Sequence, residues 1–136
     1  MKKKLFYPFV LLLFVLPTIS KAQTTAPVIY QNWKLKGESS TNYEVSARII
    51  KCHPDSAVQL HLELFNEGGS AQTAHFNLTI TNPETHEAIV REITYPLALG
   101  GLVMPLCDKN DHPALRINLP ASWNFETVNF TVTILQ

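Results

Sequence analysis

Two cysteines, five histidines and two tryptophans are the residues of this 136-residue chain that could do chemistry outside a core. Cys52 and Cys107 form an even pair, and in an oxidising compartment an even count predicts a disulfide. Such a bond would close a loop of roughly 56 residues and contribute about 4 kcal/mol by the chain-entropy account. The same cysteines with His53 and His112 are zinc-ligand types. However, there is no CxxC pair, and the adjacent ligands Cys52 and His53 suit one metal poorly.

His61 and His75 carry a second possibility. If Gly68-Gly69 closes a β-hairpin, Asn66 pairs with Ser70, and counting back sets His61 opposite His75. Directly opposed side chains have Cβ atoms about 4.5–5.5 Å apart. Two imidazoles at that spacing could share a metal or repel when protonated, with Glu63 the nearest acidic third ligand. Otherwise they are two ordinary histidines on a solvated sheet face.

The aromatic residues offer a third. Trp33 near the start of the chain, and Trp123 with Phe125 in the loop after Pro120, could stack on sugar rings or anchor a protein partner if exposed. Buried, Trp33 would fill the sandwich and Trp123 would cap its open end. Other signatures are incomplete. His86-Glu87 begins HExxH, but position 90 is Val. Asp108-Lys109-Asn110-Asp111-His112 resembles part of a calcium loop without its glycine and distal glutamate. There is no GxSxG elbow and no phosphate-binding glycine loop. No catalytic residue and no cofactor is expected.

The elements that must position these residues read as strands. Val58, Leu60, Leu62 and Leu64 alternate with polar residues, as do Ala74, Phe76, Leu78 and Ile80. Tyr43–Cys52, Ala88–Tyr95 and Leu102–Cys107 are further β-rich runs, and 28–30 and 33–35 give one or two short strands. Leu115, Ile117 and Leu119 share one face. Val128, Phe130, Val132 and Ile134 share another. No window shows helical periodicity. Pro96 to Met104 is apolar for a connection and reads as a buried strand or as an exposed hydrophobic edge for partner binding, with burial the favoured reading.

About seven strands with regular turn signals predict an all-β fold, an antiparallel two-sheet sandwich of immunoglobulin or fibronectin-III type. A small closed barrel is the alternative. Turn-length Pro and Gly stretches give no second domain, so residues 23–136 read as one unit.

Residues 1–22 read as a secretory signal peptide. Lys2, Lys3 and Lys4 precede an apolar run from Leu5 to Leu16, and Ser20-Lys21-Ala22 places small residues before Gln23. The run is about 12 residues against roughly 20 for a membrane span. Its removal leaves seven basic and eleven acidic side chains, a net charge of −4. A mildly acidic domain argues against nucleic acid and anionic lipid as partners. No stretch of 23–136 is long and apolar enough to span a membrane. The destination expected is the bacterial periplasm or the extracellular space.

Asn77-Leu78-Thr79 and Asn129-Phe130-Thr131 match the N-glycosylation pattern but lie inside predicted strands. Asp55-Ser56-Ala57 resembles a bacterial O-glycosylation acceptor and falls in a turn. Together these readings predict a small exported binding or structural module with an envelope or extracellular protein partner. The alternatives are a glycan-binding module using Trp123, Phe125 and Trp33, or a metal- or pH-responsive protein using His61 and His75.

Overall fold

The computed structural model describes residues 25–38 and 42–135. The expected signal peptide lies outside them. The described chain forms eight strands, β1 (Val28–Glu38), β2 (Tyr43–Lys51), β3 (Val58–Asn66), β4 (Gln72–Thr81), β5 (Ala88–Leu97), β6 (Leu102–Val103), β7 (Arg116–Asn118) and β8 (Asn129–Ile134), with a short 3-10 turn at Pro113–Leu115. One sheet runs β1-β2-β3, with β6 and β7 both on the far side of β3, and the other runs β5-β4-β8. Every pairing is antiparallel. The fold is an all-β two-sheet sandwich.

The alternating sequence dictates the core. Val45, Ala47 and Ile49 of β2 and Leu60, Leu62 and Leu64 of β3 face Ala74, Phe76, Leu78 and Ile80 of β4, all fully buried. Leu115, Ile117, Leu119, Val128 and Phe130 complete this layer. Burying such side chains contributes about 1.5–3 kcal/mol each, before the entropy of ordering them. Tyr43 ties the sheets with a polar contact, since its hydroxyl donates to the His75 carbonyl at 2.9 Å and accepts from the His75 amide at 3.1 Å.

The expected β3–β4 hairpin does not form. β3 is already flanked by β2 on one side and by β6 and β7 on the other, so no edge is left for β4. The chain instead arches to the second sheet. Asn66 organises the arch: its side-chain amide donates to the carbonyls of Ser70 (2.9 Å) and Ala98 (2.8 Å), and its Oδ1 accepts from the Gly68 amide. Side-chain bonding of this kind is how Asn favours turns over a continued ladder.

Of the one or two short N-terminal strands expected, one forms: Val28–Tyr30 and Trp33–Leu35 belong to a single strand with register irregularities. The apolar stretch from Pro96 to Met104 is only partly covered: Leu97 is buried, but Leu99 is 62% and Leu102 55% exposed around the turn at Gly100, whose φ is +60°.

The two long sides of the sandwich differ. Where β1 meets β8, the gap is closed. A Cβ on Gly37 would lie 2.7 Å from a Val132 methyl, so glycine is what allows β1 to approach β8. The buried Gln31 amide on β1 donates to the carbonyls of Phe125 (3.0 Å) and Val128 (2.9 Å) ahead of β8. On the opposite side, β5 faces β7 across a cleft.

Candidate functional site

The outer face of the first sheet carries a polar row in register. Arg48 on β2 pairs with His61 on β3, and His61 pairs with Arg116 on β7. A strap formed by residues 104–112 runs over this face. It is held by the Cys52–Cys107 disulfide and by Arg116, whose guanidinium donates to the carbonyls of Leu106, Lys109 and Asp111 and pairs with Asp111 Oδ1 at 3.0 Å. Burial works against the Asp111 carboxylate, but the Leu106 amide and Arg116 outweigh it and hold its pKa below the usual value. The calcium-like residues Asp108–His112 are therefore a folded turn whose Asp111 oxygen is committed to protein donors.

His61 faces outward as its alternation requires, yet it is 0% exposed. Its Nε2 lies 3.0 Å from Gln59 Oε1. Gln59 in turn donates to Asn118 Oδ1, which fixes its oxygen toward His61 and places the imidazole proton on Nε2. Desolvation, then the charges of Arg48 and Arg116, push the His61 pKa down to about 4. The ring is neutral at pH 7. Arg48 stacks on Trp33, with its guanidinium carbon 4.5 Å from the ring centroid.

His75 is far from this row. It lies on the outer face of the second sheet, opposite Thr94 of β5, with Nε2 2.8 Å from Glu92. Because β3 and β4 belong to different sheets, His61 and His75 sit on opposite outer faces of the sandwich and cannot share a ligand. Glu63 does not bring them together. Among the described residues, no three His, Cys, Asp or Glu side chains cluster to hold a metal. His53 and His112 have separate partners: His53 Nε2 meets the Cys107 carbonyl at 3.1 Å, while His112 Nδ1 meets the Tyr95 hydroxyl at 2.5 Å.

The aromatic residues do not form a platform. Trp123 is 4% exposed, capping the core, and its indole N–H donates to Glu87 at 3.0 Å. Phe125 is half-buried against Tyr30, ring centroids 5.1 Å apart. Trp33 does not fill the sandwich. It lies half-buried on the outer face with Arg48 across its ring, because the register irregularity of β1 between Gln31 and Lys34 turns that position away from the core. In the Asp55-Ser56-Ala57 turn, the Ser56 hydroxyl donates to the His53 carbonyl at 2.9 Å and accepts from the His53 amide at 3.0 Å.

The sequence allows function at an exposed sheet edge but does not say which strand is left open; in the structure it is β5. This ten-residue strand pairs only with β4 among the described residues. The Asn82 amide donates to the Glu87 carbonyl, one step beyond the Thr81–Ala88 pair. Alternation in an antiparallel ladder then makes Ile89, Arg91, Ile93 and Tyr95 the hydrogen-bonded partners of β4. The backbone groups of Ala88, Val90, Glu92 and Thr94 point to the open side. Pro96 falls at the next outward position, where its missing N–H costs no ladder bond. Arg91 confirms the phase, since its Nη1 donates to the Val90 carbonyl at 3.0 Å and so occupies an outward acceptor.

Beside this edge lies a cleft of about 340 Å³, walled by Arg91–Thr94 and by Pro113, Ala114, Arg116 and Ile117. Ile93 and Ile117 are its buried apolar residues, and Val90 on the strand's other face is 57% exposed. The one signal in the sequence is Pro96 itself, which belongs at an edge rather than in a central strand. Comparison with protein-family models, curated proteins and solved structures finds no match.

Proposed function

We propose that this is an exported, non-catalytic protein-binding domain that receives an extended segment of its partner along the open edge of β5. The observation that carries the reading is the run of backbone groups at Ala88, Val90, Glu92 and Thr94 that face away from β4 and pair with no other strand among the described residues, beside a cleft floored by Ile93 and Ile117. Long edge strands with free amides and carbonyls are templates for strand addition. Main-chain bonds supply affinity in that mode, and pockets for alternate side chains supply selectivity. Export is supported by the signal-like residues 1–22 and by the disulfide, which persists in oxidising compartments.

The test is photo-crosslinking in the producing cell from a reactive residue at position 90, with and without Thr94→Pro. Proline at 94 removes an outward N–H and leaves the β4 ladder whole. A discrete protein adduct that Thr94→Pro abolishes, with the urea midpoint little changed, is the expected result. An adduct indifferent to Thr94→Pro would remove β5 as the receiving edge.

A further inference from the structure

Resting on that reading, we infer that the segment β5 receives is antiparallel and presents a carboxylate to Arg91, with an aliphatic side chain two residues earlier against Ile93. The argument starts from what Arg91 does in the free protein. Its side chain lies on the core side of β5 but at the open flank, in the cleft, and its Nη1 bonds the Val90 carbonyl of its own strand. That carbonyl is one of the outward acceptors an added strand must use. The incoming backbone N–H therefore displaces the guanidinium, which is left exposed in the cleft without its acceptor. Arg116 on the opposite wall offers it no acceptor, because a guanidinium only donates, and its Nε and Nη2 are already bonded to the strap. A carboxylate on the added strand, facing inward opposite position 91, restores a charge-assisted hydrogen bond.

Register supplies the rest. Positions 91 and 93 bond to β4, so toward an added strand they form the non-hydrogen-bonded pairs, whose Cα atoms approach to about 4.5 Å and whose side chains meet closely. The residue opposite Ile93 completes an apolar floor shared with Ile117, which selects an aliphatic side chain. The residue between them faces outward opposite Glu92, where a cation or hydroxyl is favoured. Read from its N-terminus, the partner segment is aliphatic, then polar or basic, then acidic. A second copy of β5 does not supply this segment. Two-fold pairing centred on residue 91 or 92 sets Arg91 against Arg91 or Glu92 against Glu92, and like charges directly opposed are destabilising; pairing centred on Val90 or Ile93 puts Ile89 or Tyr95, not a carboxylate, opposite Arg91.

The test uses the full exported domain, isotope-labelled, titrated with two capped peptides, Thr-Val-Lys-Glu-Thr-Val-Ser and its Glu-to-Gln version. The acidic peptide is expected to shift the amides of Val90, Glu92 and Thr94 and to bind about tenfold more tightly than the Gln peptide. Arg91→Glu should abolish that preference, and Thr94→Pro should abolish binding of both. Equal affinities at β5 would overturn the carboxylate inference while leaving strand addition standing. No response at β5 to either peptide up to millimolar concentration would overturn both. Concentration-dependent dimerisation through the same amides would identify the occupant as a second copy.

Discussion

His61 Nε2 lies 4.0 Å from Cys52 Sγ, so the fully buried imidazole and the disulfide occupy one site under the strap. A charge there has Arg48 on one side and Arg116 on the other. The folded-state pKa of about 4 is below the ordinary 6.5, so the unfolded chain binds the proton more readily. The stabilising effect of a neutral His61 is complete above pH 6.5 and is lost as pH falls through 4. Its full size is roughly 3 kcal/mol. Urea unfolding between pH 7.5 and 4 should show this slope, and His61→Leu should flatten it. Equal slopes in both proteins would show that other groups control the acid limb.

The Cys52–Cys107 bond spans a sequence separation of 55 and fixes the strap to the end of β2. Replacing both cysteines with serine should lower stability by about 4 kcal/mol. Thiol counting on unfolded, unreduced protein should find none. Two titratable thiols under those conditions would mean that the strap is held by the Arg116, His53 and His112 contacts without a covalent tie.

Amide hydrogen exchange reports the phase of β5 without any ligand. The amides of Arg91 and Ile93 bond to β4, whereas those of Val90, Glu92 and Thr94 face the cleft. The first set should exchange at least about a hundredfold more slowly than the second. Uniform protection along the strand would show that something already covers the edge.

Trp123 is a core cap in this fold, with its N–H satisfied by Glu87. Trp123→Phe should cost about 1 kcal/mol for the lost bond, and Trp123→Ala about 3–5 kcal/mol. Its fluorescence should be insensitive to iodide and unchanged by oligosaccharides. A saturable shift on adding glycan would restore the sugar-binding reading.

Gln31 secures the closed side by donating to the carbonyls of Phe125 and Val128. Gln31→Leu keeps the bulk but strands two acceptors, at a cost of about 2–3 kcal/mol in the urea midpoint. A neutral result would mean that solvent reaches those carbonyls.

The alternating residues made the strands and the core face legible, because period-two burial is local. Leu60, Phe76 and Phe130 all lie where alternation puts them. The partner of each strand was not legible. Gly68-Gly69 reads as a hairpin turn, but Asn66 turns the chain across the sandwich, and only the occupied edges of β3 explain why. That one misplacement separated His61 from His75. Burial of His61 was hidden for a related reason: the covering strap comes from residues more than forty positions later. The open edge of β5 is a property of which strands fail to pair, and alternation within one strand carries no such information.

The position of β4 between β5 and β8 also governs the order of assembly. A chain made from its N-terminus can pair β4 with β5 early, but the other flank of β4 waits for β8, the last of the eight strands. Until then Phe76, Leu78 and Ile80 have only a partial cover. Synthesis and any transport across a membrane therefore pass through a half-sheet with a naked inner strand, and slow, non-local closure of this kind is where aggregation competes with folding.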